Sequence, residues 1–111
     1  MGRSGRLTRP QEFKRVFDSG RKLHGRFFAV FVNPGEYDES RLGLAISRRS
    51  AGNAVRRNLI KRQARESFRL ARRAGSRKVD VVLIAKAAGQ AATRADLYED
   101  LEMLWSRVNP C

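Results

Sequence analysis

Leu42-Gly43-Leu44-Ala45-Ile46, then Asn53 through Arg73, then Val79-Asp80-Val81-Val82-Leu83-Ile84-Ala85 read as strand, long helix, strand, and this stretch decides the fold. The second strand is apolar on both faces apart from Asp80, so it belongs inside a covered sheet. Gly52-Asn53 opens the helix, with Asn53 as the N-cap, and Gly75 closes it. Upstream, Phe27-Phe28-Ala29-Val30-Phe31-Val32 is a further strand with two apolar faces, broken by Asn33-Pro34-Gly35 and followed by an acidic loop at 36–39. A short strand fits near 21–25. Thr8-Arg9-Pro10-Gln11 fits a capping box, and Phe13, Val16 and Phe17 at i, i+3, i+4 predict a first helix over 9–19, stopped by Gly20. Leu97, Leu101, Leu104 and Val108 predict a last helix, capped at Thr93-Arg94-Ala95-Asp96. Residues 1–7 read as a flexible basic arm and Ala87 to Ala92 as a loop or helix lead-in. The expectation is one α/β sandwich, a small sheet with helices packed on it.

The chain has 111 residues, 24 Lys plus Arg against 11 Asp plus Glu, and a net charge of +13. With 41% hydrophobic residues it can build a core, which a disordered basic tail cannot. No apolar run approaches the roughly 20 residues of a spanning helix. No apolar region follows the first basic residues, so no secretory signal is expected. Cys111 is the only cysteine, which leaves no internal disulfide or cysteine metal site and fits an intracellular, reducing compartment.

A pI near 11.5 points to a polyanion, with a membrane surface as competitor. All but five of the 24 basic residues are arginine, whose planar fork grips phosphate and stacks on bases. The charge is clustered. Residues 48–78 hold twelve basic and one acidic residue, and residues 1–30 hold eight and two. Residues 31–47 and 79–111 are net acidic and are expected to lie away from the polyanion. On a helix at about 100° per residue, Asn58, Lys61, Arg62, Arg65, Arg69 and Arg72 share an arc of about 100°. Ile60, Ala64, Phe68 and Ala71 form a separate apolar stripe. Five like charges on one face repel, and Glu66 is the one acid in the helix to offset them. A phosphate backbone would supply the counter-charge, and geometry alone does not separate RNA from DNA.

Phe13, Phe17, Phe27, Phe28, Phe31 and Phe68 read first as core. An uncovered sheet face could instead let some of them stack on single-stranded bases. No catalytic constellation is present: His24 has no partner at motif spacing, Glu36, Asp38 and Glu39 read as a solvated turn, and there is no phosphate-binding glycine loop. No catalytic or metal-ligating residue is assigned.

The run from Ser47 to Arg69, with Gly52-Asn53-Ala54-Val55-Arg56-Arg57-Asn58-Leu59-Ile60-Lys61-Arg62-Gln63-Ala64-Arg65-Glu66-Ser67-Phe68 inside it, closely resembles the signature of the bacterial ribonuclease P protein subunit. Glu12 to Gly20 resembles the family's first helix, and the likeness covers about residues 6–108. The resemblance implies an α+β fold: a single-domain α/β sandwich, a mixed four-stranded sheet with about three helices. It also implies a left-handed β-α-β crossover, as in the second domain of a small-subunit ribosomal protein. Residues 8–109 would form one RNA-binding domain after the arm. It implies a cytoplasmic partner of a catalytic RNA, one protein to one RNA, in the endoribonuclease that removes the 5′ leader of precursor tRNA. No cofactor is expected on the protein, and Mg2+ is expected on the RNA. Arg57, Asn58, Lys61, Arg62 and Arg65 match the RNA-facing signature, to which the cationic arc adds Arg69 and Arg72. Phe13, Lys14, Phe17 and Phe31 match the cleft for the single-stranded leader. Leu59 stands where the family carries the second arginine of Arg-Asn-Arg, with Arg56 as an imperfect substitute. The alternative reading is another RNA- or DNA-binding module of similar fold with no part in cleavage.

Overall fold

The two strands with apolar residues on both faces take the two central places in the sheet, where both faces can be covered. The computed structural model describes residues 9–34, 40–47, 52–74, 78–87 and 92–108, without the side chains of 72–74. Its elements are α1 (Pro10–Ser19), β1 (Arg21–His24), β2 (Phe28–Pro34), β3 (Arg41–Ala45), α2 (Ala54–Ala74), β4 (Val79–Ala85) and α3 (Arg94–Val108). The strand order is β1-β2-β4-β3. The β1–β2 and β2–β4 pairs are antiparallel and β3–β4 is parallel. The sheet is therefore mixed, and α2 is the crossover that parallel neighbours require.

Strand alternation sorts the residues onto two faces. Phe28, Val30 and Val32 of β2 and Val79, Val81 and Leu83 of β4 enter the main core beneath α2 and α3. Ile60, Ala64 and Phe68 meet them from α2, as the apolar stripe predicts, and Leu97, Leu101, Leu104 and Val108 from α3. Trp105 ties the two helices together. Its ring meets Phe68 edge-on at 5.3 Å, and its indole N–H donates to Ser67 Oγ at 2.6 Å. The other sheet face belongs to α1, where Val16 and Val82 are fully buried and Phe13 and Phe31 pack on them. With ten residues, α1 is only about 15 Å long. It covers part of its face, leaving Ile84 half-buried and Ala45 exposed.

Helix ends follow the chain's local chemistry. Asn53 Oδ1 accepts the Arg56 N–H at 2.8 Å, and Gly52 before it takes φ +95°, a conformation that a side chain would strain. Thr93 and Asp96 cap α3 reciprocally, at 3.1 and 3.2 Å. The box expected at Thr8 moves by one residue: Arg9 is the N-cap and its N–H donates to Glu12 at 3.3 Å, while Thr8 lies outside the described residues. Strand β2 runs two residues past its expected break, with Asn33 and Pro34 opposite Asp80 and Val79. Pro34 is tolerated because the pairing with β1 ends at Val32, which leaves this end of β2 with a neighbour on one side only. The arm at 1–7, the acidic loop at 36–39, residues 48–51 of the signature, residues 88–91 and Cys111 lie outside the described residues.

Asp100 is a buried carboxylate that the sequence reading passed over. From α3 it accepts the backbone N–H groups of Arg26, Phe27 and Phe28 at 2.9, 3.0 and 3.1 Å. It thus fastens the β1–β2 turn to the main core.

Candidate nucleic-acid interface

The cationic arc is realised as a surface. Asn58, Lys61, Arg62, Arg65, Glu66 and Arg69 line one shallow depression along α2. All except half-buried Lys61 are exposed. The core stripe sets this orientation, because burying Ile60, Ala64 and Phe68 turns the arginines outward. Glu66 lies within the face and forms an ion pair with Arg69. The hydrogen bond and charge of Arg69 hold the Glu66 carboxyl below its ordinary value, and Glu66 raises Arg69 in return. Arg69 therefore meets a phosphate already partly neutralised.

Not every signature residue joins this group. Arg57 is half-buried at the edge of the apolar stripe, with its Nε buried and without a hydrogen-bond partner. Arg56 points to the far side of α2 and donates to the Ala92 carbonyl, so it does not replace the arginine whose place Leu59 takes. Gln63 reaches the Arg94 carbonyl on the same flank at 2.7 Å. The flank that meets α3 is thus opposite the cationic face. Glu99 and Glu102 on α3 are exposed, and Glu99 lines a separate depression with Arg26 and Asp96. Arg72 belongs to α2, but its side chain lies outside the described residues.

A second candidate surface lies on the α1 side of the sheet. The Phe17 and Phe31 rings meet edge-on, 4.8 Å apart, and Phe17 keeps 37% of its surface exposed. Lys22 Nζ stands 5.2 Å over the Phe31 ring, from the neighbouring strand position that the register dictates. Phe13 packs beside them on the Val16–Val82 pair. Rings flanked by a cation suit single-stranded nucleic acid, because bases stack on the rings and the ammonium meets a phosphate. Lys14 is not among them. It sits on the outer side of α1 in an exposed 2.7 Å ion pair with Asp18, whose hydrogen bond and charge raise its pKa. The sequence reading missed Lys22, because its place beside Phe31 depends on the β1–β2 register.

Among the described residues, no three His, Cys, Asp or Glu side chains gather as a metal-binding group. No described helix is long and apolar enough to cross a membrane.

The sequence and the fold have counterparts among known proteins. The chain matches the ribonuclease P family over residues 1–109. It is 43% identical to the ribonuclease P protein component of Thioalkalivibrio sulfidiphilus, over 98% of this chain and 91% of that one. It is 38% identical to the component from Chromobacterium violaceum, over 98% and 89%. Among solved structures, the Staphylococcus aureus RNase P protein superposes with a TM-score of 0.85 at 29% identity, covering 96% of this chain and 98% of that one. The Thermotoga maritima RNase P protein gives 0.79 at 30% identity, over 92% and 96%. The chain therefore belongs to the family of bacterial ribonuclease P protein components, subunits of the endoribonuclease that frees tRNA 5′ ends from their leaders.

Proposed function

We propose that the chain works in this enzyme as a two-sided adaptor. The α2 depression binds the catalytic RNA through Asn58, Lys61, Arg62, Arg65 and Arg69, and Arg57 and Arg72 of the same helix add to the contact. The α1 side of the sheet receives the leader of precursor tRNA, with Phe13, Phe17 and Phe31 offering stacking faces and Lys22 offering a cation to its backbone. The carrying observation is that these two surfaces sit on opposite covers of one sheet, each with the chemistry of its own kind of RNA. A duplex backbone asks for a row of cations, and a single strand asks for aromatic faces. The protein lowers phosphate repulsion between catalytic RNA and substrate and holds the leader in place. Bond cleavage falls to the RNA, which holds the Mg2+. The assembly is cytoplasmic with one protein per RNA, and residues 8–109 act as one RNA-binding domain behind a basic arm.

The test is precursor-tRNA cleavage at low Mg2+ by the catalytic RNA, with and without the chain. Stimulation is expected. No stimulation would refute the adaptor, and cleavage by the protein alone would refute the assignment of the chemistry to RNA.

A further inference from the structure

Asp80 is the one acid on central strand β4, fully buried, on the sheet face that α1 covers. An isolated carboxylate there would be costly, so its partners are informative. Arg41 of β3, its register neighbour, donates from Nε at 3.1 Å and from Nη2 at 3.0 Å. The remaining arm of the Arg41 fork donates from Nη1 to Glu12 of α1 at 2.6 Å. Arg15 of α1 adds an ion pair to Asp80. Burial works against the Arg41 charge, but the hydrogen bonds and charges of Asp80 and Glu12 outweigh it and raise its pKa.

The placement of these groups around α1 gives them a further meaning. At about 100° per residue, Arg15 and Glu12 lie on one side of Val16, and Phe13 and Phe17 on the other. Val16 is the fully buried pivot on Val82. A ten-residue helix is too short to hold itself, so its roll about that pivot is set by what grips its two edges. One edge is ionic and the other is the Phe17–Phe31 contact. A roll of α1 that loosens the ionic edge carries Phe17 across Phe31.

We infer that Glu12, Arg15, Arg41 and Asp80 are positioning residues for leader recognition: they set the roll of α1 and so the spacing of the aromatic rings that receive the leader. The inference rests on the leader reading above. None of the four need touch the leader, and their effect passes through Phe17. The demand for Arg41 is geometric, since only a planar fork reaches Asp80 with two donors and Glu12 with a third.

The experiment uses the reconstituted holoenzyme with Glu12→Gln and, separately, Arg41→Lys. Glu12→Gln removes an acid, so electrostatics alone would tighten binding of a precursor. Positioning requires the opposite sign: a loss of about fivefold or more in the preference for leader-bearing over mature tRNA, the weight of a weakened base stack. Arg41→Lys keeps the charge and loses the fork, and should act in the same direction. The salt dependence of catalytic-RNA binding should stay unchanged in both, which a general loss of structure would not allow. NMR of the free protein supplies a readout independent of RNA, because ring-current shifts of the Phe17 and Phe31 protons report their edge-on contact. Those shifts should move in both variants. Unmoved shifts overturn the inference whatever the substrate data show. Moved shifts with unchanged leader preference overturn the link to the leader. Phe17→Ala in the same assay then separates the two ideas: if it too is without effect, the leader reading itself has failed.

Discussion

Replacing Lys61 and Arg65 together by alanine tests the α2 face in a way that its geometry makes quantitative. Four described cations line the depression: Lys61, Arg62, Arg65 and Arg69. Glu66 offsets part of Arg69, so the face counts for about three to four phosphate contacts. At about 0.9 per contact, its share of the slope of log K against log[salt] is near 3, and the double variant should lower the slope by about 1.8. Between about 50 and 200 mM salt, the unaltered chain should then lose about tenfold more affinity for the catalytic RNA than the variant does. Glu66→Gln should shift the slope the other way, by up to about 0.9, because it frees Arg69. The assay is filter binding to the catalytic RNA across a salt series, with thermal melts to confirm folding. Arg107→Ala, an exposed cation on α3, is the control and should leave the slope unchanged. An unchanged slope in the double variant, or an equal change in the control, would refute the reasoning.

Other substitutions separate RNA contacts from structural ones. Phe17→Ala should cut the preference for leader-bearing over mature tRNA by about fivefold or more, and equal loss on both substrates would make Phe17 a core residue. Asp100→Ala leaves the N–H groups of Arg26, Phe27 and Phe28 without their acceptor and should cost about 3 kcal/mol or more in urea unfolding. A loss under about 1 kcal/mol would show that water replaces the carboxylate. Arg56→Ala should lower the melting temperature through loss of the Ala92 contact while leaving the RNA salt slope unchanged; a flatter slope would return Arg56 to the interface.

Much of the architecture was legible in the sequence because it rests on periodicity. The apolar runs of β2 and β4 marked the central strands, and the stripe of Ile60, Ala64 and Phe68 fixed which way the arginines of α2 face. Asn53 and the Thr93–Asp96 pair announced their helix starts through local hydrogen bonds that need no tertiary partner. The start of α1 differs by one residue because Thr8 and Arg9 both precede the proline and each has an acceptor three residues on, Gln11 and Glu12, of which Glu12 closes the box with Arg9.

What the sequence by itself determined is the pattern: the element order, the buried stripes, the clustering of charge on one arc of one helix, and the signature that names the family. What tertiary structure decided is the partner of each charge. Arg56 and Arg69 look alike in the sequence, yet Arg56 is bound to a carbonyl and Arg69 to Glu66. Asp80 looked like an interruption in a strand and became the anchor for Arg15 and Arg41, 65 and 39 residues away. The physical reason is range. Periodicity is set by neighbours within a few residues, whereas a buried charge is satisfied by whichever strand or helix the folded chain brings within hydrogen-bond distance.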